Sequence, residues 1–147
     1  MTPMAKQLLD VQQAGVYQLG RSPDEIERAA KDAGLTLFRI DLAHAPDKKS
    51  FLSQVAQALR FPKSFGHNWD ALNDSLTDLE WLTAKAGFVL MFENGDVFFS
   101  SGNRELENAE SVLSSAAEYW KGEGKPFWAL IEVSPKSACD LPKWPTH

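Results

Sequence analysis

A single cysteine, Cys139, stands among the 147 residues. That excludes an internal disulfide and a thiolate metal cluster, and a reducing compartment fits it most simply. Basic residues are scarce too: 15 Lys and Arg face 20 Asp and Glu, for a net charge of −5 and a pI of about 5.2. Such a balance repels phosphate backbones and anionic lipid surfaces, so direct nucleic-acid or membrane binding is not expected and basic partners are favoured. The N-terminal stretch MTPMAKQLLDVQQ has one Lys and no apolar run long enough for a signal peptide or a membrane span, so a cytoplasmic location is expected. Internal repeats and low-complexity tracts are missing. What is present is the composition of a soluble globular protein, 44% hydrophobic and 24% charged, and the length predicts one domain, 1–147, able to bury a core.

Turn and cap signals divide the chain. Val16 to Leu19 is a candidate short strand, followed by Ser22-Pro23-Asp24-Glu25, a capping-box pattern with Pro at the first helical position. The helix that starts there has an apolar side of Ile26, Ala29, Ala30 and Ala33, and Gly34 is placed to end it. Leu35 to Leu42 reads as a strand. Asp47 is a cap for a helix to about Leu59, with Phe51, Leu52, Val55 and Leu59 inward, and Pro62 prevents its continuation. Asn68 is suited to cap a helix from about Trp69 to Trp81. The unbroken apolar run Phe88 to Phe92 reads as a strand covered on both faces. A last helix, roughly Leu106 to Lys121, buries Val112, Leu113, Ala116, Ala117 and Trp120, and Phe127 to Val133 is the final strand. The tail, 134–147, has three prolines and no apolar periodicity, and is expected to be irregular, with Trp144 packed back or mobile. Strands alternating with helices predict an α/β domain with a small, mainly parallel sheet, about four helices and right-handed crossovers.

The most informative stretch is FPKSFGHNWDALNDSLTDLEW, residues 61–81. Asp70, Asp74 and Asp78 recur every four residues, while Trp69, Leu72, Leu76 and Leu79 recur at three, four and three. On a helix the two sets fall on opposite sides. No Lys or Arg follows the stripe until Lys85, so the usual i,i+4 compensation is missing. A stripe of this kind on an acidic protein is ordinarily a solvated face. Against that reading, stacked like charges are mutually repulsive and Asp is a poor helix former, so a neutral surface would favour Glu and Lys. The loop ahead of it, Ser64-Phe65-Gly66-His67-Asn68, adds an aromatic ring, a flexible Gly and two hydrogen-bonding side chains at the same end, a combination suited to docking.

Other readings remain open at this level. His67, Asp70 and Asp74 would share a face and could ligate a divalent metal, as in a metal-dependent hydrolase, if the helix began one turn early. Asp70 and Asp74 could form an acid/base pair, although no nucleophile motif, Gly-rich phosphate loop or second His lies nearby. The domain could also be a non-inhibitory adaptor whose stripe pairs with a basic partner. Trp69, Trp81, Trp120 and Trp128 read as core. Glu118 alone is an ordinary surface residue near a helix end, and His44 and His147 carry no signal.

The order of features, a Pro after one helix, a loop with Gly66, then Asn68, Asp70, Ala71-Leu72 and Asp74, resembles the barstar family of small intracellular ribonuclease inhibitors. A second patch, Ala109-Glu110-Ser111-Val112-Leu113, is similar to the start of that family's last helix, and spacing from it puts Glu118 at the family's third acidic contact. The likeness runs from about Leu35 to Val133 and leaves a strand-helix extension, about 14–34, and the tail uncovered. It implies a three-stranded parallel sheet, to which Val16 to Leu19 would add a fourth strand, and a function with no chemistry of its own. The acidic helix would plug a nuclease's active site, with Asp74 in place of a substrate phosphate and Asp70 and Glu118 adding charge. The expected partner-binding residues are Phe65, Gly66, His67, Asn68, Asp70, Asp74, Thr77, Asp78 and Glu118. No catalytic residue, metal or cofactor is implied. The partner would be a basic ribonuclease or nuclease toxin, and the free protein is expected to be a monomer. The chain departs from the family pattern at Ser64-Phe65, His67, Asn73 and Ser75, most of them on or beside the contact surface.

Overall fold

Local chemistry sets most of the helix boundaries. Ser22 Oγ accepts the amide of Glu25 at 3.2 Å, and helix α2 runs Pro23–Ala33 to Gly34, whose φ of 75° gives the left-handed cap. The Asp47 carboxylate accepts the Ser50 amide at 2.9 Å while the Asp47 amide donates to Ser50 Oγ at 3.2 Å, and this reciprocal box starts α3, Lys48–Leu59. Helix α4 spans Trp69–Thr77 and α5 Leu106–Gly122. Ahead of them lies a short α1, Pro3–Leu8, capped by Thr2. The strands are β1 Val16–Leu19, β2 Thr36–Asp41, β3 Phe88–Glu93, β4 Phe127–Ile131 and β5 Lys143–Trp144. The structure is a computed structural model describing residues 1–78, 86–99, 103–134, 139 and 141–144.

All five strands are parallel, in the order β2-β3-β4-β1-β5. β3 and β4 lie at the centre and are buried along their length except for Glu93, as unbroken apolar runs demand when both faces of a sheet are covered. Gly87 stands where β3 begins beside Pro126. Its φ is 150°, and a Cβ there would lie 2.5 Å from the Pro126 carbonyl oxygen, so only glycine lets the two chains close up.

Each face of the sheet has its own core. On one, α3, α4 and α5 enclose Phe51, Phe92, Phe98 and Phe99 with Leu52, Leu72, Leu76, Leu113 and Trp120. On the other, α1 and α2 cover Val89, Met91, Trp128 and Leu130. The Trp128 indole donates to the Leu8 carbonyl at 2.7 Å, and Trp144 packs its ring 5.0 Å from that of Trp128. No buried side-chain nitrogen or oxygen lacks a partner among the described residues, and no helix there is long and apolar enough to cross a membrane.

Several expectations change. The sheet has five strands, because the tail expected to be irregular pairs through Lys143 and Trp144 with Gln18 and Leu19 of β1. The amides of Gln18 and Gly20 donate to Pro142 and Trp144 carbonyls, each at 2.8 Å. Helix α1 was not anticipated: only Ala5 and Leu8 are buried along it, too few for a period, and packing on α2 supports it. The last core strand ends at Ile131, two residues before the expected Val133. Leu79, Trp81 and Lys85 lie outside the described residues.

Candidate functional site

The loop and α4 form one unit. Asn68 is extended, with φ −137° and ψ 170°; its Oδ1 accepts the Ala71 amide at 2.7 Å and its Nδ2 donates to the Gly66 carbonyl at 3.2 Å. One side chain therefore caps the helix and closes the loop behind it. At Gly66 a Cβ would sit 3.2 Å from that Nδ2 and 3.4 Å from Ala71 Cβ, so the turn is tight on its inner side. His67 adopts a left-handed φ of 48°, with Nδ1 3.0 Å from the Phe65 carbonyl oxygen and its ring 4.9 Å from that of Phe65. Phe65 itself is only 8% exposed and packs on Phe61. It holds the loop from inside and presents little side chain to a partner.

The inner side of α4 is fixed at three levels. Trp69 is half-buried over Phe51 and donates its indole N–H to the Glu105 carboxylate at 2.7 Å. Leu72 and Leu76 are fully buried. Near the last turn, the Trp120 indole of α5 donates to the Leu76 carbonyl at 2.8 Å. Glu105 was not singled out in the sequence, although its place one residue ahead of a predicted helix was a usable signal. Hydrogen bonds from the Asn108 amide and then from the Trp69 indole hold its carboxyl below the usual range.

Asp70, Asp74 and Asp78 are all exposed, and none forms an ion pair among the described residues. The ion pairs there belong to Arg39, which meets Asp24 and Glu27 of α2 and Glu93 of β3 on the opposite face of the sheet. Asp70 sits in the first turn, where the helix dipole favours it. The stripe is shorter than expected. Helix α4 ends at Thr77, a turn before Trp81, and Asp78 has left helical geometry at φ −119° and ψ 57°. The dipole disfavours a carboxylate at that end, no basic residue stands in the last turn, and the Thr77 hydroxyl donates back to the Asn73 carbonyl at 2.9 Å. Asp70 and Asp74 therefore form the helical pair, with Asp78 as an end group. Glu118 is exposed on α5, which packs against α4, beside the 44% exposed Tyr119.

The metal reading meets a geometric obstacle. His67 lies ahead of the cap and outside the helical register of Asp70 and Asp74, and among the described residues no three His, Cys, Asp or Glu are grouped to hold an ion.

A family model, Barstar (barnase inhibitor), matches residues 35–132, more than half of the chain. The chain belongs to the barstar family. The match takes in β2 through β4, with α4 and its loop, and leaves out α1, β1, α2 and β5. A search of curated proteins finds no match. Among solved structures, the ORC2 protein of Aeropyrum pernix, described as ADPNP-ADP complexes, is similar over 89% of this chain with a TM-score of 0.58 and 18% identity. The matched region spans 39% of that protein, and at this identity the likeness carries the fold alone.

Proposed function

We propose that this barstar-family chain inhibits a basic ribonuclease by inserting α4 and its loop into the enzyme's substrate cleft. Asp74 stands in for a substrate phosphate, Asp70 and Glu118 add charge around it, and Gly66, His67, Asn68, Thr77 and Asp78 make the neighbouring contacts. Phe65 supports the loop from within. The observation that carries this reading is the pair of exposed carboxylates, without an ion pair among the described residues, on a helix pinned by its cap, by Leu72 and Leu76 and by the Trp120 bond. A site built to hold a phosphate among Arg and Lys donors accepts a carboxylate through the same charge-assisted hydrogen bonds. A carboxylate carried on a helix already held in place loses less freedom on binding than one on a loose segment, and the negative field of the chain speeds encounter with a cationic cleft.

The test is affinity capture. Source-cell extract is passed over the immobilised chain, and the eluate is assayed for RNA cleavage with and without added free chain. The expected result is a recovered RNA-cleaving activity that one equivalent of the chain suppresses. An eluate that cleaves no RNA, or whose cleavage the chain leaves untouched, overturns the proposal.

A further inference from the structure

Helix α3 begins with two lysines, Lys48 and Lys49, at its first two positions, and no acidic residue occupies its first turn. Asp47 caps this end with a carboxylate, but the two positions after it carry ammonium groups, which the positive end of a helix disfavours. The chain obeys the rule at α2, which opens with Asp24 and Glu25, and at α4, which opens with Asp70. Among the described helices only α3 opens on two ammonium groups, and a local cost of this kind without an evident gain in stability points to function.

The two lysines lie beside the loop assigned above to the partner. With Ser53 and His67 they line an open notch of about 420 Å³. Lys48 is also near enough to Glu105, the carboxylate that anchors Trp69 of α4, to help lower its pKa as a minor cause. Lys49 bears in the same minor way on the Asp47 cap. Neither ammonium forms an ion pair among the described residues. The surface around the loop therefore carries both signs: exposed carboxylates lie on α4, and on the α3 side two ammonium groups and an imidazole line the notch, with the Asp47 and Glu105 carboxylates already engaged by Ser50, Asn108 and Trp69.

Building on the inhibitor reading, we infer that Lys48 and Lys49, with His67, seat an acidic side chain on the rim of the same ribonuclease whose cationic cleft receives Asp74. The partner surface that fits is a basic cleft with a carboxylate beside it. Charge complementarity favours this occupant, since a carboxylate presented by an already docked protein meets the notch without a second encounter. The two charge patterns together set the register of docking and discriminate between equally basic enzymes.

The sign of the effect makes the test sharp. Lys48→Glu and Lys49→Glu make an acidic protein more acidic, so attraction to a basic enzyme by net charge alone predicts equal or tighter binding. Seating of a partner carboxylate predicts weaker binding, by roughly tenfold or more for each reversal, since like charges are then brought together. The probe is the ribonuclease recovered in the capture experiment, with dissociation constants measured for the full-length chain and for both variants. Circular dichroism and urea midpoints confirm folding. Replacing the enzyme's acidic residues singly by Lys is expected to restore the double variant at one position. Unchanged or tighter binding of the reversals, or no restoring position, overturns this inference while an intact effect of Asp74→Ala leaves the inhibitor reading standing. Failure to recover any ribonuclease overturns both.

Discussion

Trp120 of α5 donates its indole N–H to the main-chain carbonyl of Leu76 in α4, at 2.8 Å and out of solvent. Leu76 is among the last four residues of α4, whose carbonyls have no partner within the helix. The bond therefore satisfies an acceptor that α4 cannot satisfy itself, and ties the acidic helix to its neighbour. Trp120→Phe keeps most of the ring and removes the donor. It is expected to lower stability by about 1–3 kcal/mol, the cost of a buried acceptor left unpaired. Urea denaturation measures this, and an unchanged midpoint would show that the bond contributes nothing.

Asp74→Ala is expected to weaken inhibition of the captured ribonuclease by about 3–5 kcal/mol, roughly 10²- to 10⁴-fold, because cationic groups buried in the complex lose their counterion. Dissociation should account for most of the change. Asp78→Ala, just past the C-terminal end of α4, is expected to cost about 1 kcal/mol or less. Surface plasmon resonance on the pair separates them, and equal losses would argue against Asp74 as the centre of the contact.

Added salt should slow association and leave dissociation nearly untouched. Opposite charges steer one another over a distance of about 10 Å at 0.1 M ionic strength, and this reach contracts as salt rises. Stopped-flow rates from low to high NaCl give the slope. A flat profile would mean that apolar contact dominates the encounter.

In the free protein, Lys49→Glu is expected to raise stability by about 0.3–1 kcal/mol by giving α3 the charge its N-terminus favours. Thermal melts at low ionic strength read the gain. A variant that is more stable yet binds more weakly would separate the two demands on this helix end.

Acid should destabilise the fold through carboxyls that are easier to ionise when folded. Asp47 is lowered by the Ser50 hydroxyl and then the Ser50 amide, Asp41 by Asn94 and then the Ala43 amide, and Glu105 by Asn108 and Trp69. With folded values below the unfolded ones, their contribution is complete above the ordinary carboxyl range, near pH 4, and is lost as pH falls through the folded values. Urea midpoints between pH 5 and 2.5 should decline, and Asp47→Ala should flatten the decline. A slope unaltered by Asp47→Ala would place the acid sensitivity elsewhere.

Much of this was legible in the sequence where local signals suffice. Ser22, Asp47 and Asn68 each cap the helix expected of them, and Phe88–Phe92 lies within the buried strand β3 that its composition demanded. The exposure of Asp70 and Asp74 follows from period alone. What was not legible depends on partners distant in sequence. Lys143 and Trp144 form a strand only because Gln18 and Leu19 offer an edge, and Phe65 faces inward because Phe61 and the core leave it room. The end of α4 at Thr77 turns on a balance between dipole and propensity that a repeat of Asp every four residues does not reveal. Lys48 and Lys49 were visible throughout, but their oddity emerges only beside His67.

β1 lies between β4 and β5, with Val16 opposite Ala129 and Leu19 opposite Trp144. β1 thus waits for strands more than a hundred residues later in the chain, and loops this long close slowly. A nascent chain holds an unpaired edge until translation has passed residue 131. The family's own segment, 35–132, is complete only at that same point, so pairing β1 with β4 asks for no longer a chain than the family fold itself needs.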